Sequence, residues 1–190
     1  MTYTAITNRF HGGKSVSFRV GQKVVYPNHG VSVVEKIENG EIAGIEQTYY
    51  YLRLLSNNSK VMIPQDNLDL VGLRPLCQQT DIRSLFKVLR DETFDTYKDW
   101  KGRYKQNLDK MKTGELTEVA RVLKNLQLVS AKKSLSFREK KMYERAKYFI
   151  VSEVAHVKRI NEELAAKEVE RALASGMAKR RKSSDTAAVA

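Results

Sequence analysis

The chain has 190 residues, room for one ordinary domain or two small ones, and carries 34 Lys and Arg against 22 Asp and Glu, a net charge of +12. Residues 1–76 hold 8 basic and 6 acidic side chains and residues 77–190 hold 26 and 16, so the excess lies in the second half and predicts a polyanion or an acidic protein surface as its partner. No run approaches the ~18 apolar residues of a membrane span, the start MTYTAITNRFHGGK lacks a signal-peptide core, and the lone Cys77 has no internal disulfide partner, which together predict a soluble protein of the reducing cytoplasm.

Residues 1–17 are expected to be a disordered extension. From Phe18 to Leu70 the pattern turns to short β-branched and aromatic runs, KVVY, VSVVEKI, TYYYLRL and KVMI, separated by Gly, Asn, Pro and Ser. Tyr26-Pro27-Asn28-His29-Gly30 reads as a chain reversal, since Pro27 presets its own φ and Asn28 and Gly30 tolerate positive φ. About five short strands in roughly fifty residues bury a face by curling, so residues 18–72 are predicted to form a small SH3-like or Tudor-like barrel. Gly72 and Pro75 mark the change to helical period, and the class is α+β, with an all-α domain over 78–175.

The first helix covers residues 80–90 through Ile82, Leu85, Phe86 and Leu89. A second runs from about Tyr97 to Lys112 on the stripe Trp100, Tyr104, Leu108 and Met111, and stops at Gly114. Leu116, Val119, Ala120, Leu123 and Leu126 make a third. Ser136-Phe137-Arg138-Glu139 has capping-box form, so a fourth helix begins at Phe137 and buries Met142, Ala146, Phe149, Ile150, Val154 and Val157. The helical pattern continues past Lys158 to about Ala174 but becomes highly charged, which predicts a projecting or partner-facing helix ended by Gly176. Residues 176–190, with the block KRRK, are expected to be a disordered basic tail, an import signal in a eukaryote and otherwise a source of unspecific phosphate affinity.

Enzyme signatures are weak. Gly13-Lys14-Ser15 resembles the end of a phosphate-binding loop, but the first glycine of that motif is replaced by Asn8 and no strand precedes it. His11, His29 and His156 are dispersed without ligand-spaced Cys or carboxylates, so no metal and no cofactor is predicted. Cys77 has only His29 or His156 as a base, nothing selects them as a set, and a structural thiol is expected. Asp66 and Asp69 fit turn capping and solvation better than paired acid–base work.

The sharpest local signal is Trp100 in KDWKGRYK, one large ring among Lys98, Lys101, Arg103 and Lys105. Such a cluster can neutralise phosphates and wedge or stack an aromatic on bases. On the residues alone, the stripe shared with Tyr104, Leu108 and Met111 puts burial of Trp100 slightly ahead of exposure. In the strand region Ile42, within GEIAGI, is balanced between barrel packing and a free edge that takes up a partner strand. Met62, flanked by Val61 and Ile63, alternates onto the opposite face and is expected to be exposed.

FRVGQKVVYPNHGVSVVEKIE, VMIPQDNLDLVGLRPL and DWKGRYKQNLDKMKTGELTEVARVLKNL together resemble the CarD/CdnL family of bacterial transcription regulators, from about Phe18 to Ala155. The joint occurrence of VVYPxHG and WKxRYKxNL in this order is more specific than either motif. The resemblance implies a Tudor-like module that grips the RNA polymerase β subunit by strand addition, and a helical domain that touches promoter DNA near the −10 element and stabilises the open complex. It assigns Trp100 to a minor-groove wedge, places Lys101, Arg103, Lys105 and Lys140 near the phosphate backbone, and puts Ile42 on the polymerase-contact strand. Gly40 and Met62 stand where well-known members carry polymerase-gripping arginines, and Gly102 where a basic residue is common, so the strength of the grip is open. The expectation is a factor without catalytic activity and with no need of a dimer. The competing expectation is a polymerase-independent DNA- or RNA-binding protein.

Overall fold

The computed structural model describes residues 17–42, 44–91 and 100–187, with the side chains of Ile42, Ile45, Trp100, Lys101 and residues 179–187 outside the description. Five strands come first: β1 Lys23–Tyr26, β2 Gly30–Ile42, β3 Ile45–Leu54, β4 Lys60–Pro64 and β5 Arg74–Pro75. They form one antiparallel sheet of order β4-β3-β2-β1-β5, the expected small Tudor-like barrel. Alternation sets its inner face, where Val24, Val34, Tyr50, Leu52 and Ile63 close over Phe18, Leu68 and Leu73. The Tyr26–Gly30 reversal is present, with Asn28 and Gly30 at φ 64° and 85°.

Five helices follow: α1 Gln79–Asp91, α2 Trp100–Thr113, α3 Leu116–Ser130, α4 Phe137–Lys158 and α5 Glu162–Ala187. The predicted stripes of α1, α3 and α4 meet in one core around Leu85, Leu89, Leu123, Leu126, Ala146 and Ile150. The predicted start of α2 at Tyr97 lies outside the described residues. Its end follows the expected glycine, with Gly114 at φ 70°.

The last helix differs from expectation. α4 stops at Lys158 because Arg159 takes the left-handed conformation at φ 56° and the Ile160 N–H bonds back to the Ala155 carbonyl. Asn161 then caps a new helix, its side-chain oxygen accepting from the Leu164 N–H at 2.8 Å, with Glu162 and Glu163 at the positive end of the dipole. α5 does not project. It lies against α1 and α4 and buries Ala165, Val169, Ala172 and Leu173. Gly176 does not end it either: a Cβ there would sit 2.5 Å from the Leu89 carbonyl oxygen, so the glycine marks the closest approach of α5 to the end of α1. The helix continues through the KRRK block to Ala187, which corrects the expected disordered tail over that range.

The two halves are docked. Pro27 packs against Gly114, where a Cβ would lie 2.8 Å from its ring, and Gly30 lies under Phe149 of α4, where a Cβ would meet the ring at 3.1 Å. Arg74 reaches across from β5, donating to the Gly114 carbonyl and bidentately to the buried Glu153 carboxylate at 2.7 and 2.8 Å. The same carboxylate accepts the Cys77 N–H at 2.9 Å. Burial, then the adjacent Glu153 charge, pushes the Cys77 thiol far above its ordinary range, consistent with a structural role.

Candidate protein and nucleic-acid interfaces

The first surface is a sheet margin. β1 pairs with β2 only over Gly30–Val33, and β4 pairs with β3 only over Tyr49–Arg53, while the β2–β3 ladder runs on to Ile42 opposite Ile45. Beyond the bulge between Val34 and Lys36, β2 therefore has no second strand among the described residues, and its outward N–H and C=O groups from Lys36 to Ile42 can template an incoming strand. Gly40 stands opposite Gln47 and Met62 opposite Tyr51, so both share the outer face of β3 with Tyr49. Met62 is 43% exposed on the edge strand β4, as the alternation predicts. A Cβ at Gly40 would meet the Tyr49 ring at 3.6 Å, an ordinary contact. Ile42 keeps its backbone place in the ladder, but its side chain lies outside the described residues.

Polar groups anchor this face. Glu35, at the bulge, pairs with Arg53 at 2.7 Å and Lys60 at 2.8 Å, and hydrogen bonds from Lys60 and then Arg53 hold its carboxyl below the usual range. Lys36 pairs with Glu38, which raises its ammonium pKa.

The second surface lies where α2 and α4 meet. Ser136 and Glu139 form the predicted capping box of α4: the Ser136 hydroxyl accepts from the Glu139 N–H, and the Glu139 carboxylate accepts from the Ser136 N–H at 3.0 Å. The other Glu139 oxygen receives the Arg103 guanidinium at 2.8 Å, with both side chains only 3% exposed. Burial alone would raise this carboxyl. The hydrogen bonds from Arg103 and Ser136 outweigh it and hold Glu139 below the ordinary glutamate value.

Arg103 was expected beside the phosphates, and the structure corrects this. Its guanidinium is buried and engaged by Glu139, so it staples α2 to the capped end of α4. The spacing gave no warning, because a helical arginine three residues after a tryptophan is equally compatible with either face. Lys105 and Lys140 are exposed, as a phosphate-facing role requires. Trp100 is helical in backbone, and its ring, like the Lys101 side chain, lies outside the described residues.

Sequence reading missed four residues here. Phe137, counted only as the first residue of α4, is 71% exposed with the Lys141 ammonium 4.6 Å from its ring centre. Arg138, Lys141 and Arg145 follow at helical spacing along one wall of a cleft of about 600 Å³ between α2, α4 and the barrel turns at His29 and Asn57. An exposed aromatic in the first turn of an otherwise basic helix is the signal that would have found them. His29 stacks on Tyr26 in the barrel turn beside this cleft, and its imidazole pKa is lowered by burial first and by Arg145 second. No group of His, Cys, Asp and Glu suited to a metal occurs among the described residues, and no helix there is long and apolar enough to cross a membrane.

Residues 18–77 match the model of the CarD-like/TRCF RID domain and residues 84–170 that of the CarD C-terminal domain. The putative transcription factor YdeB of Bacillus subtilis is 36% identical over 145 residues, 76% of this chain and 95% of that protein. Two solved structures are also similar. The solution structure of the 72-residue N-terminal domain of Myxococcus xanthus CarD is 36% identical over 34% of this chain and 85% of its own, with a TM-score of 0.28. CdnLNt from the same organism is 42% identical over 36% of this chain and 97% of its own, with a TM-score of 0.29. With both domain models matched in chain order and a relative of this identity aligned over three quarters of the sequence, the chain belongs to the CarD family of bacterial transcription regulators.

Proposed function

We propose that this protein binds the RNA polymerase β subunit along the free margin of β2 and touches promoter DNA near the −10 element with the α2–α4 surface, stabilising the open complex. The observation that carries the reading is the stretch of β2 from Lys36 to Ile42, paired on one side only among the described residues and available for strand addition. Trp100 is the minor-groove wedge, Lys101, Lys105 and Lys140 neutralise phosphates, and Phe137 with Lys141 widens the apolar and basic contact. Ile42, Gly40 and Met62 face the polymerase. Arg103 acts indirectly, by fixing α2 on α4.

No catalytic step is needed. Contacts made only when the −10 region is open shift the closed-to-open equilibrium by their difference in affinity between the two states. A wedge and a few phosphate contacts supply on the order of 1–3 kcal/mol, a shift of about 5- to 150-fold.

Two variants test the assignment. Trp100→Ala is expected to shorten open-complex lifetime by about that factor while polymerase retention stays intact, and an unchanged lifetime refutes the wedge. Ile42→Glu is expected to abolish polymerase retention and leave DNA affinity in place; retained polymerase refutes strand addition and favours a polymerase-independent nucleic-acid binder.

A further inference from the structure

A second basic surface lies outside both of these sites, in a groove of about 540 Å³ between α1 and α5. Arg83 and Arg90 come from α1, about 10 Å apart along its axis, and Arg171 from α5. All three are exposed, and none has an ion-pair partner among the described residues. The acid of the groove, Glu168, is already held by Lys158 at 2.7 Å. The packing at Gly176 presses α5 onto the last carbonyls of α1. The helix then carries Lys179, Arg180, Arg181 and Lys182 onward from that point, so the basic positions run on from Arg171 for about 16 Å of helix axis. Arg171 and the basic positions after it lie past Glu170, the last residue matched to the C-terminal family model, whereas Arg90 lies inside that match.

We infer that the α1–α5 groove and the basic end of α5 form a second DNA-contacting surface, which binds the phosphate backbone of duplex DNA without reading its sequence. Charge complementarity selects an anion, because the groove's guanidinia lack acidic partners among the described residues and guanidinium forks match phosphate oxygens. A single strand is disfavoured. Such sites stack bases on aromatic faces, and the one aromatic of the groove, Phe86, is half-buried with the Lys158 ammonium 5.8 Å from its ring centre. An acidic protein is disfavoured as well, since a protein interface needs desolvated apolar anchors and GMAKRRKSSDTA offers a single methionine.

The test is binding of the full chain to a duplex oligonucleotide of arbitrary sequence, by fluorescence anisotropy between about 50 and 200 mM salt. The triple variant Arg83→Gln, Arg90→Gln, Arg171→Gln is expected to flatten the slope of log K against log salt by about 0.9 for each phosphate no longer neutralised, up to ~2.7 in all. A second variant with Gln at 179, 180, 181 and 182 is expected to flatten it too, and it alters only positions beyond Gly176, the last buried residue described. Slopes equal to wild type in both variants overturn the proposal. Unchanged slopes together with failure to retain polymerase also overturn it and reassign the groove to an acidic protein surface. The result is independent of the open-complex reading, because Lys140→Gln reports on the α2–α4 surface in the same assay: flattening by the groove variants on top of a Lys140→Gln background still supports the groove when Trp100→Ala leaves open-complex lifetime unchanged.

Discussion

Replacing Arg103 by Gln separates two roles that a basic residue beside Trp100 can play. Removing the guanidinium leaves the Glu139 carboxylate buried, 3% exposed, with only the Ser136 groups to satisfy it. Breaking a buried pair by removing one partner costs about 3–5 kcal/mol. For a chain of this size, 1 kcal/mol corresponds to about 2–4 °C, so the melting temperature is expected to fall by about 6–20 °C. Thermal melts followed by circular dichroism measure this directly. A direct phosphate contact predicts the opposite pair of results: an unchanged melt, and a salt slope for duplex binding flattened by about 0.9. That outcome would refute the staple.

The same variant has a pH signature. The Glu139 carboxyl is held below its ordinary value in the folded state, so its contribution is fully present above the unfolded value of about 4.3 and diminishes as pH falls through the depressed folded value. Arg103 is the largest of the groups that lower it. In Arg103→Gln that lowering shrinks, and burial, which acts the other way, offsets more of what remains. The acid-side fall in stability that this depressed carboxyl predicts for the wild type below about pH 4.3 is therefore expected to shrink in the variant. Identical acid profiles would show that Arg103 does not set this carboxyl.

Gly40→Arg is expected to tighten polymerase retention, since the position is half-buried on the outer face, a Cβ meets only the Tyr49 ring at 3.6 Å, and an added guanidinium would project along the proposed docking face; retention assays with wild type and variant measure it, and unchanged or weaker retention counts against Gly40 as a contact. Gly176→Ala is expected to destabilise the fold by about 1–3 kcal/mol, because its Cβ would lie 2.5 Å from a backbone oxygen of α1 that cannot swing away. Denaturant unfolding checks the cost, and a neutral Gly176→Ala would mean that α5 does not approach α1 this closely.

Where the sequence carries a local code, it is legible in detail. The capping box at Ser136 and Glu139, the stop at Gly114 and the reversal at Tyr26–Gly30 each depend on a few adjacent residues whose backbone preferences decide the outcome. The departures fall where packing decides instead. Gly176 reads as a stop, yet glycine serves as well for close approach as for termination, and only the position of α1 distinguishes the two. The stripe Ala165, Val169, Ala172, Leu173 is built largely from small residues, so its weak hydrophobic signal conceals a helix that packs closely. Arg103 shows the same limit on the functional side. A charge among charges reads as a surface residue, and the partner that buries it, Glu139, is distant in sequence and already occupied in a recognisable capping motif.

The motif VVYPxHG has a structural role distinct from either proposed binding surface. Its turn inserts Pro27 against Gly114 and sets Gly30 under Phe149, while Arg74 ties β5 to Gly114 and Glu153. A helical domain tethered by a flexible linker would offer the proposed DNA contacts at an effective concentration that falls as the linker lengthens, and in no fixed orientation. A docked one presents them in one place. If the barrel holds the polymerase, the geometry of the α2–α4 surface relative to that grip is set by this interface, and a wedge confined to one promoter position requires such fixation. Loosening the interface at Arg74 would then weaken open-complex stabilisation while leaving both individual binding surfaces unaltered, an outcome that distinguishes a rigid bridge from two independent modules on one chain.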